Sequence, residues 1–263
     1  MIDAGLFHWT LSHLLKLLVV MTRVGPLVFL MPVIGNNSVP PQVKALFTLV
    51  LSLILVPAVN VSASAMPNSP IGYAVFVGCE VAFAAILSIL ARLVFDATDL
   101  AGQVVSISMG MGMAGTMDPE FGVQVSLVGF LWNLIAILIF LAIDGHHFIL
   151  RLLVESFDWL HPGTIRLTDA TFEGIMKGST HMFVLGIQIM APAAVALFFA
   201  HVAMGIVAKI VPQIPIMLVA MPVNIALGFT FVLLSMGYLL PLFIKNFNAY
   251  SQAMAHLGRG MGG

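Results

Sequence analysis

The stretch Val123-Gln-Val-Ser-Leu-Val-Gly-Phe-Leu-Trp132-Asn-Leu-Ile-Ala-Ile-Leu-Ile-Phe140-Leu-Ala-Ile143 decides the fold class. It contains no Asp, Glu, Lys or Arg. About 20 apolar residues in helical form cross the hydrocarbon core of a bilayer, so this block reads as a spanning helix. Five more apolar blocks surround it, at about 11–35, 43–59, 71–91, 181–208 and 214–244. The second of these is short and the last unusually long. Pro26, Pro32, Pro192, Pro215, Pro222 and Pro241 interrupt the blocks. A proline inside a helix removes a hydrogen bond and kinks or breaks it, so broken helices are expected rather than clean rods.

Composition leads to the same class. The chain is 60% hydrophobic and 8% charged, against roughly 25% charged in soluble domains, and its mean hydropathy is +1.10. An all-α, integral membrane-type protein follows. The net charge of -1 lacks the basic footprint of a nucleic-acid binder. Cys79, the single cysteine, lies in an apolar block and is expected to be a buried, inert thiol. The N-terminus lacks the basic region of a signal peptide, and its first apolar run carries Lys16 and Arg23, so it is expected to be retained.

Between the blocks, Gly35-Asn-Asn-Ser-Val-Pro-Pro41 and Met66-Pro-Asn-Ser-Pro70 read as turns. The segment Asp144–Lys177 concentrates charge and is expected at an aqueous surface, and the tail at 251–263 is expected to be flexible. With six spans, Arg23, Lys44, Arg92 and Lys209 fall on one side. Lys16, Arg151, Arg166, Lys177, Lys245 and Arg259 fall on the other. The positive-inside rule sets no orientation from this distribution.

One tract is neither a good helix nor an ordinary solvated loop. It runs Ser106-Ile-Ser-Met109-Gly110-Met111-Gly112-Met113-Ala-Gly115-Thr-Met117-Asp118-Pro119-Glu-Phe121. Each glycine costs a helix roughly 1 kcal/mol relative to alanine. If the tract were extended, Met109, Met111 and Met113 would line one side, and flexible thioethers could seal a gap and still deform. It reads as a movable plug; the plain alternative is a buried re-entrant connection. Thioethers also suit Cu(I), but no paired Cys or His accompanies them, which favours a steric role.

The other polar residues have modest readings. Asp144-Gly145-His146-His147 offers metal-ligand chemistry, yet adjacent histidines on a helix point about 100° apart, and a helix boundary is the simpler account. Glu80 is an acid inside an apolar block, either part of a proton path or a satisfied contact between helices; the contact is favoured. Asn133, Gln188 and Asn224 read as interhelical hydrogen-bonding groups. Lys209, close to Gln213 at the tip of the last hairpin, either snorkels to the interface or docks onto a neighbouring subunit. No nucleophile elbow, dinucleotide fingerprint or catalytic cluster appears, so no enzyme activity and no cofactor are expected.

Several of these segments together resemble one family. Gly102-Gln103 leading into the methionine–glycine tract and Asp118-Pro119 is similar to the central loop of the FliR/SctT family, an export-gate component of flagella and type III secretion systems. Arg23-Val-Gly-Pro26, the linker Pro40–Lys44, Phe140-Leu-Ala-Ile-Asp144-Gly145-His146, Glu155-Ser-Phe157, Pro162-Gly163, Val211-Pro-Gln213 and Pro222-Val-Asn224-Ile-Ala-Leu-Gly228 match in order. The tract here is richer in methionine, and Asn224 stands where a lysine is common. The resemblance implies kinked helical hairpins: a FliP-like region at 1–180, with a plug loop at about 106–122, fused to a FliQ-like hairpin at 181–250. It further implies FliP-like and FliQ-like partner subunits, FlhB-like and FlhA-like export components, unfolded protein substrates, and a place in the flagellar basal body at the bacterial inner membrane. A polytopic small-solute transporter is the alternative, which internal repeats and polar groups at mid-membrane would mark.

Overall fold

The computed structural model describes residues 4–35, 39–59, 67, 69–111, 126–213 and 215–262. Seven α-helices carry these residues: α1 (Ala4–Leu30), α2 (Pro41–Leu55, extended by a 3-10 turn at Val56–Ala58), α3 (Pro70–Ser108), α4 (Leu127–Ala142), α5 (Gly145–Trp159), α6 (Asp169–Ile210) and α7 (Ile216–Gly262). No strand occurs among the described residues. Five helices are long and apolar enough to cross a membrane, or six if the bent pair α4 and α5 counts as one span. The chain is an all-α integral membrane-type protein.

The prolines interrupt less than the sequence implies. Pro26 lies inside α1, Pro192 inside α6, and Pro222 and Pro241 inside α7, without ending those helices. Of the six prolines that interrupt the apolar blocks, Pro32 and Pro215 fall outside helical residues. A missing N–H costs one bond of many in helices of 42 and 47 residues, and apolar surroundings reinforce the rest.

The chain divides into two compact units. The first comprises Met1–Leu93, Asp144–Gly178 and Ala249–Gly263. Its core joins Val20, Val24 and Leu27 of α1 to Phe83 and Leu87 of α3 and to Leu153 and Phe157 of α5. Phe83 meets Trp159 edge-on, with centroids 5.7 Å apart. The tail expected to be flexible is instead the last three turns of α7. Met261 is fully buried and its carbonyl accepts a hydrogen bond from the Arg166 amide at 3.1 Å, while Gly258 and Gly262 are close enough to Trp159 that an added Cβ would overlap it. Glycine's poor helix propensity is overridden here by close packing.

Helix α2 is turned inside out. Lys44, Thr48 and Ser52, spaced four apart on one face, are its buried residues, whereas Val43, Leu46, Phe47, Val50, Leu53 and Ile54 are exposed. The Lys44 ammonium donates to the Gly35 carbonyl at 3.0 Å and lies over the Phe29 ring. Cys79 departs from expectation in a smaller way: its free thiol is partly exposed rather than buried.

The second unit comprises Val94–Ile143 and Ser179–Asn248. Phe95 of α3, Phe140 of α4, and Phe243 and Phe247 of α7 form its aromatic centre, with edge-to-face centroid distances of 5.4 to 5.7 Å. This cluster fixes the C-terminal end of α3, from which the methionine–glycine tract emerges.

Candidate functional site

The tract begins as helix. Ser106 sits in the last turn of α3 and Met109-Gly110 form a turn after it. The Met109 amide donates to Val105 and the Gly110 amide to Ile107, both at 2.9 Å. Gly110 has φ of +84°, a left-handed value that suits glycine and ends helices. Met111, the next residue, has 3-10 conformation. The described part is therefore not extended, because α3 persists two residues past Ser106 and closes with a glycine turn. Gly112, Met113, Gly115, Met117, Asp118, Pro119 and Phe121 lie outside the described residues.

Within the second unit, the base of the tract is held tightly. Gly102 of α3 meets Gly129 of α4 backbone to backbone, so closely that a Cβ on Gly102 would overlap Gly129. Ser126 caps α4 by accepting from the Gly129 amide at 2.9 Å. Its hydroxyl also reaches the Gly102 carbonyl at 3.0 Å and the Ser106 hydroxyl at 2.9 Å. The chain leaving α3 and the chain entering α4 are thus joined by side-chain bonds. Met109 is fully buried. Its thioether occupies the space where Gly228 of α7 lacks a side chain; a Cβ there would overlap Met109 Cε and lie 2.6 Å from Cγ.

The hairpin residues behave differently from one another. Asn224 is buried, with its amide nitrogen 3.0 Å from His201 Nε2. For that NH2 to donate, His201 must carry its proton on Nδ1. The Asn224 Oδ1 is buried without a hydrogen-bond partner among the described residues. A second histidine–asparagine pair, His181 Nε2 with Asn246 Oδ1 at 2.6 Å, again links α6 to α7. There the Asn246 amide nitrogen donates to the Leu242 carbonyl at 2.7 Å, which fixes the amide's orientation. Lys209, in the last turn of α6, and Gln213 are both exposed.

Glu80 belongs to the first unit and is almost wholly buried. The sequence offers no obvious partner, but the structure gives it Arg23, with Nε–Oε2 at 2.5 Å and Nη2–Oε1 at 3.0 Å. The Gly163 amide donates to Glu80 Oε1 at 2.7 Å. Arg23 Nη1 also bonds the Ser156 hydroxyl and carbonyl, both near 3 Å, and the guanidinium lies over the rings of Phe157 and Phe83. One buried ion pair therefore ties α1, α3, α5 and the turn after α5 together.

At the start of α5, the ligand-type atoms of Asp144, His146 and His147 lie within 4.8 Å of one another. Asp144 takes a left-handed conformation, φ 56°, and its carboxylate pairs with His147 Nδ1 at 3.0 Å. This group sits at the positive end of α5, which disfavours a cation; the geometry is that of a helix start.

Three positions missed from sequence now stand out: Arg23, Ser126 and Gly228. Arg23 is a base in the middle of an apolar block that also carries Lys16, and it complements the lone acid of another block. Ser126 has a cap residue's place before an apolar run. Gly228 carries no local signal, because a notch on a helix is defined by what enters it.

Comparison with known proteins places the chain. Residues 14–250 match the family described as Bacterial export proteins, family 1. The flagellar biosynthetic protein FliR of Bacillus subtilis is 26% identical over 243 residues, 91% of this chain and 93% of that protein. FliR of Caulobacter vibrioides is 27% identical over 220 residues, 83% and 87% of the two chains. FliR of Escherichia coli is 24% identical over 244 residues, 89% and 91%.

Proposed function

The chain belongs to the bacterial export proteins, family 1, the FliR/SctT export-gate family, and on that premise we propose that it is a structural subunit of the flagellar protein-export gate. It forms part of the channel through which unfolded export substrates pass, at the bacterial inner membrane, and the methionine–glycine tract plugs that channel. FliP-like and FliQ-like subunits surround it, with FlhB-like and FlhA-like components supplying substrates and drive. Residues 1–180 act as the FliP-like portion and 181–250 as the FliQ-like hairpin. The chain's own work is steric, with no bond made or broken by it.

One observation carries the multi-subunit reading. Helix α6 exposes Phe183, Ile187, Phe198, Val202 and Ile210 along a contour of about 40 Å at 1.5 Å per residue. A bilayer's hydrocarbon core is about 30 Å thick. At the average helix tilt of about 20°, that stripe would rise through about 38 Å. Lipid covers only part of such a face, and neighbouring helices of protein cover the rest. The exposed Lys209 and Gln213 at the end of α6, and Glu80 and Asn224 inside the fold, then divide into docking and internal holding roles.

Deleting Met111–Gly115 tests the plug. This deletion spares Met109 and its seat. The assembled gate is expected to leak ions while its subunit composition is unchanged. Unaltered conductance would overturn the plug role, and solute transport by the purified chain alone would instead support a small-solute transporter.

A further inference from the structure

We propose that Gly228 is a positioning residue for the methionine tract: its missing side chain is the seat of Met109, and through it α7 sets where the tract begins. The inference rests on the plug reading above and adds to it the element that holds the plug's root.

Three helices of the second unit meet at this root. Helix α3 delivers Met109, which is fully buried. Helix α4 contributes Ser126, whose hydroxyl joins Ser106 at 2.9 Å. Helix α7 supplies the notch at Gly228. A glycine inside a helix costs roughly 1 kcal/mol relative to alanine, and here the space it leaves is filled by another residue's thioether. Methionine suits such a seat because three rotatable bonds let it enter an irregular gap. Interiors are close-packed, so Met109 and Gly228 cannot shift independently: withdrawing the thioether leaves a void in α7's surface, and filling the notch from α7 expels the thioether. A displacement of α7 therefore reaches the tract at its first methionine.

A disulfide tests this directly. The position of a Cβ on Gly228 lies 2.6 Å from Met109 Cγ. Adding one C–C bond of about 1.5 Å keeps the two Cβ atoms no more than about 4.1 Å apart, below the upper limit of about 4.5 Å for a disulfide. Cys79 is the chain's one native thiol, so Met109→Cys and Gly228→Cys are introduced with Cys79→Ser in the full chain, in cells that assemble the export apparatus. The expected result is an intrachain crosslink on oxidation, a loss of flagellar protein export of at least tenfold, and recovery with reductant. No crosslink in correctly assembled protein would overturn the contact. A crosslink that leaves export unchanged, while deletion of Met111–Gly115 makes the gate leak, would overturn the positioning role and leave the plug standing. If that deletion does not leak, the plug reading falls and this inference falls with it. Gly228→Ala is expected to impair export and Met109→Ala to restore it in the double variant, a rescue that only a steric pair produces; additive defects would count against the pair.

Discussion

Arg23 and Glu80, 57 residues apart, share two hydrogen bonds in the interior of the first unit. Taking two charges out of water costs several kcal/mol each, and only good geometry with further hydrogen bonds offsets it. Both conditions are met: Ser156 serves Arg23, and the Gly163 amide serves Glu80. The pair defines how α1 meets α3 and α5.

Breaking that pair leaves a buried charge unanswered. Glu80→Ala is expected to cost about 3–5 kcal/mol, visible as a lowered melting temperature of detergent-purified protein and a reduced cellular level. Replacing both residues, Arg23→Met with Glu80→Met, is expected to recover most of the loss. A double variant no more stable than Glu80→Ala would show that the ion pair itself is indispensable.

The crossing of α3 and α4 has no room for a methyl group. Gly102→Ala places its Cβ into the Gly129 backbone, and overpacking typically costs about 1–3 kcal/mol. Gly78, on the same helix, has nothing among the described residues within 4 Å of an added Cβ. Gly78→Ala is expected to be neutral or stabilising by up to about 1 kcal/mol. Thermal unfolding of the two variants side by side checks the contrast.

The C-terminal turns are structural. Ending the chain after His256 removes Met261 and the packing of Gly258 and Gly262 on Trp159. The truncated chain is expected to accumulate several-fold less and to expose Trp159, seen as a red shift of its fluorescence. Full accumulation with unchanged fluorescence would make these residues dispensable.

Lys209 is exposed at the end of α6. Lys209→Glu is expected to reduce co-purification of neighbouring gate subunits several-fold without lowering the level of the chain itself. Export equal to that of the unaltered chain would mean that the side chain only snorkels.

Much of this was legible in the residues. The apolar blocks, the paucity of charge and the ordered motifs lead to an all-α membrane protein of a known family. What escaped was decided by distant neighbours. Pro192 and Pro222 leave their helices continuous because the helices are long and well supported. The orientation rule sets no direction in part because two of its cations, Arg23 and Lys44, are buried inside the fold. Met109 looked like part of a free loop, yet it is seated on Gly228, 119 positions away. Glu80 has no partner in its own block; Arg23, which pairs with it, lies 57 residues away in another.

The length of α6's apolar stripe has a bearing on the cell that makes this chain. A subunit made ahead of its neighbours presents greasy surface that no lipid leaflet can fully cloak, and contiguous surface of that kind invites aggregation and attack by quality-control proteases. If the chain assembles as proposed, its lifetime is set by how soon companions arrive, and copies left without them are expected to be cleared.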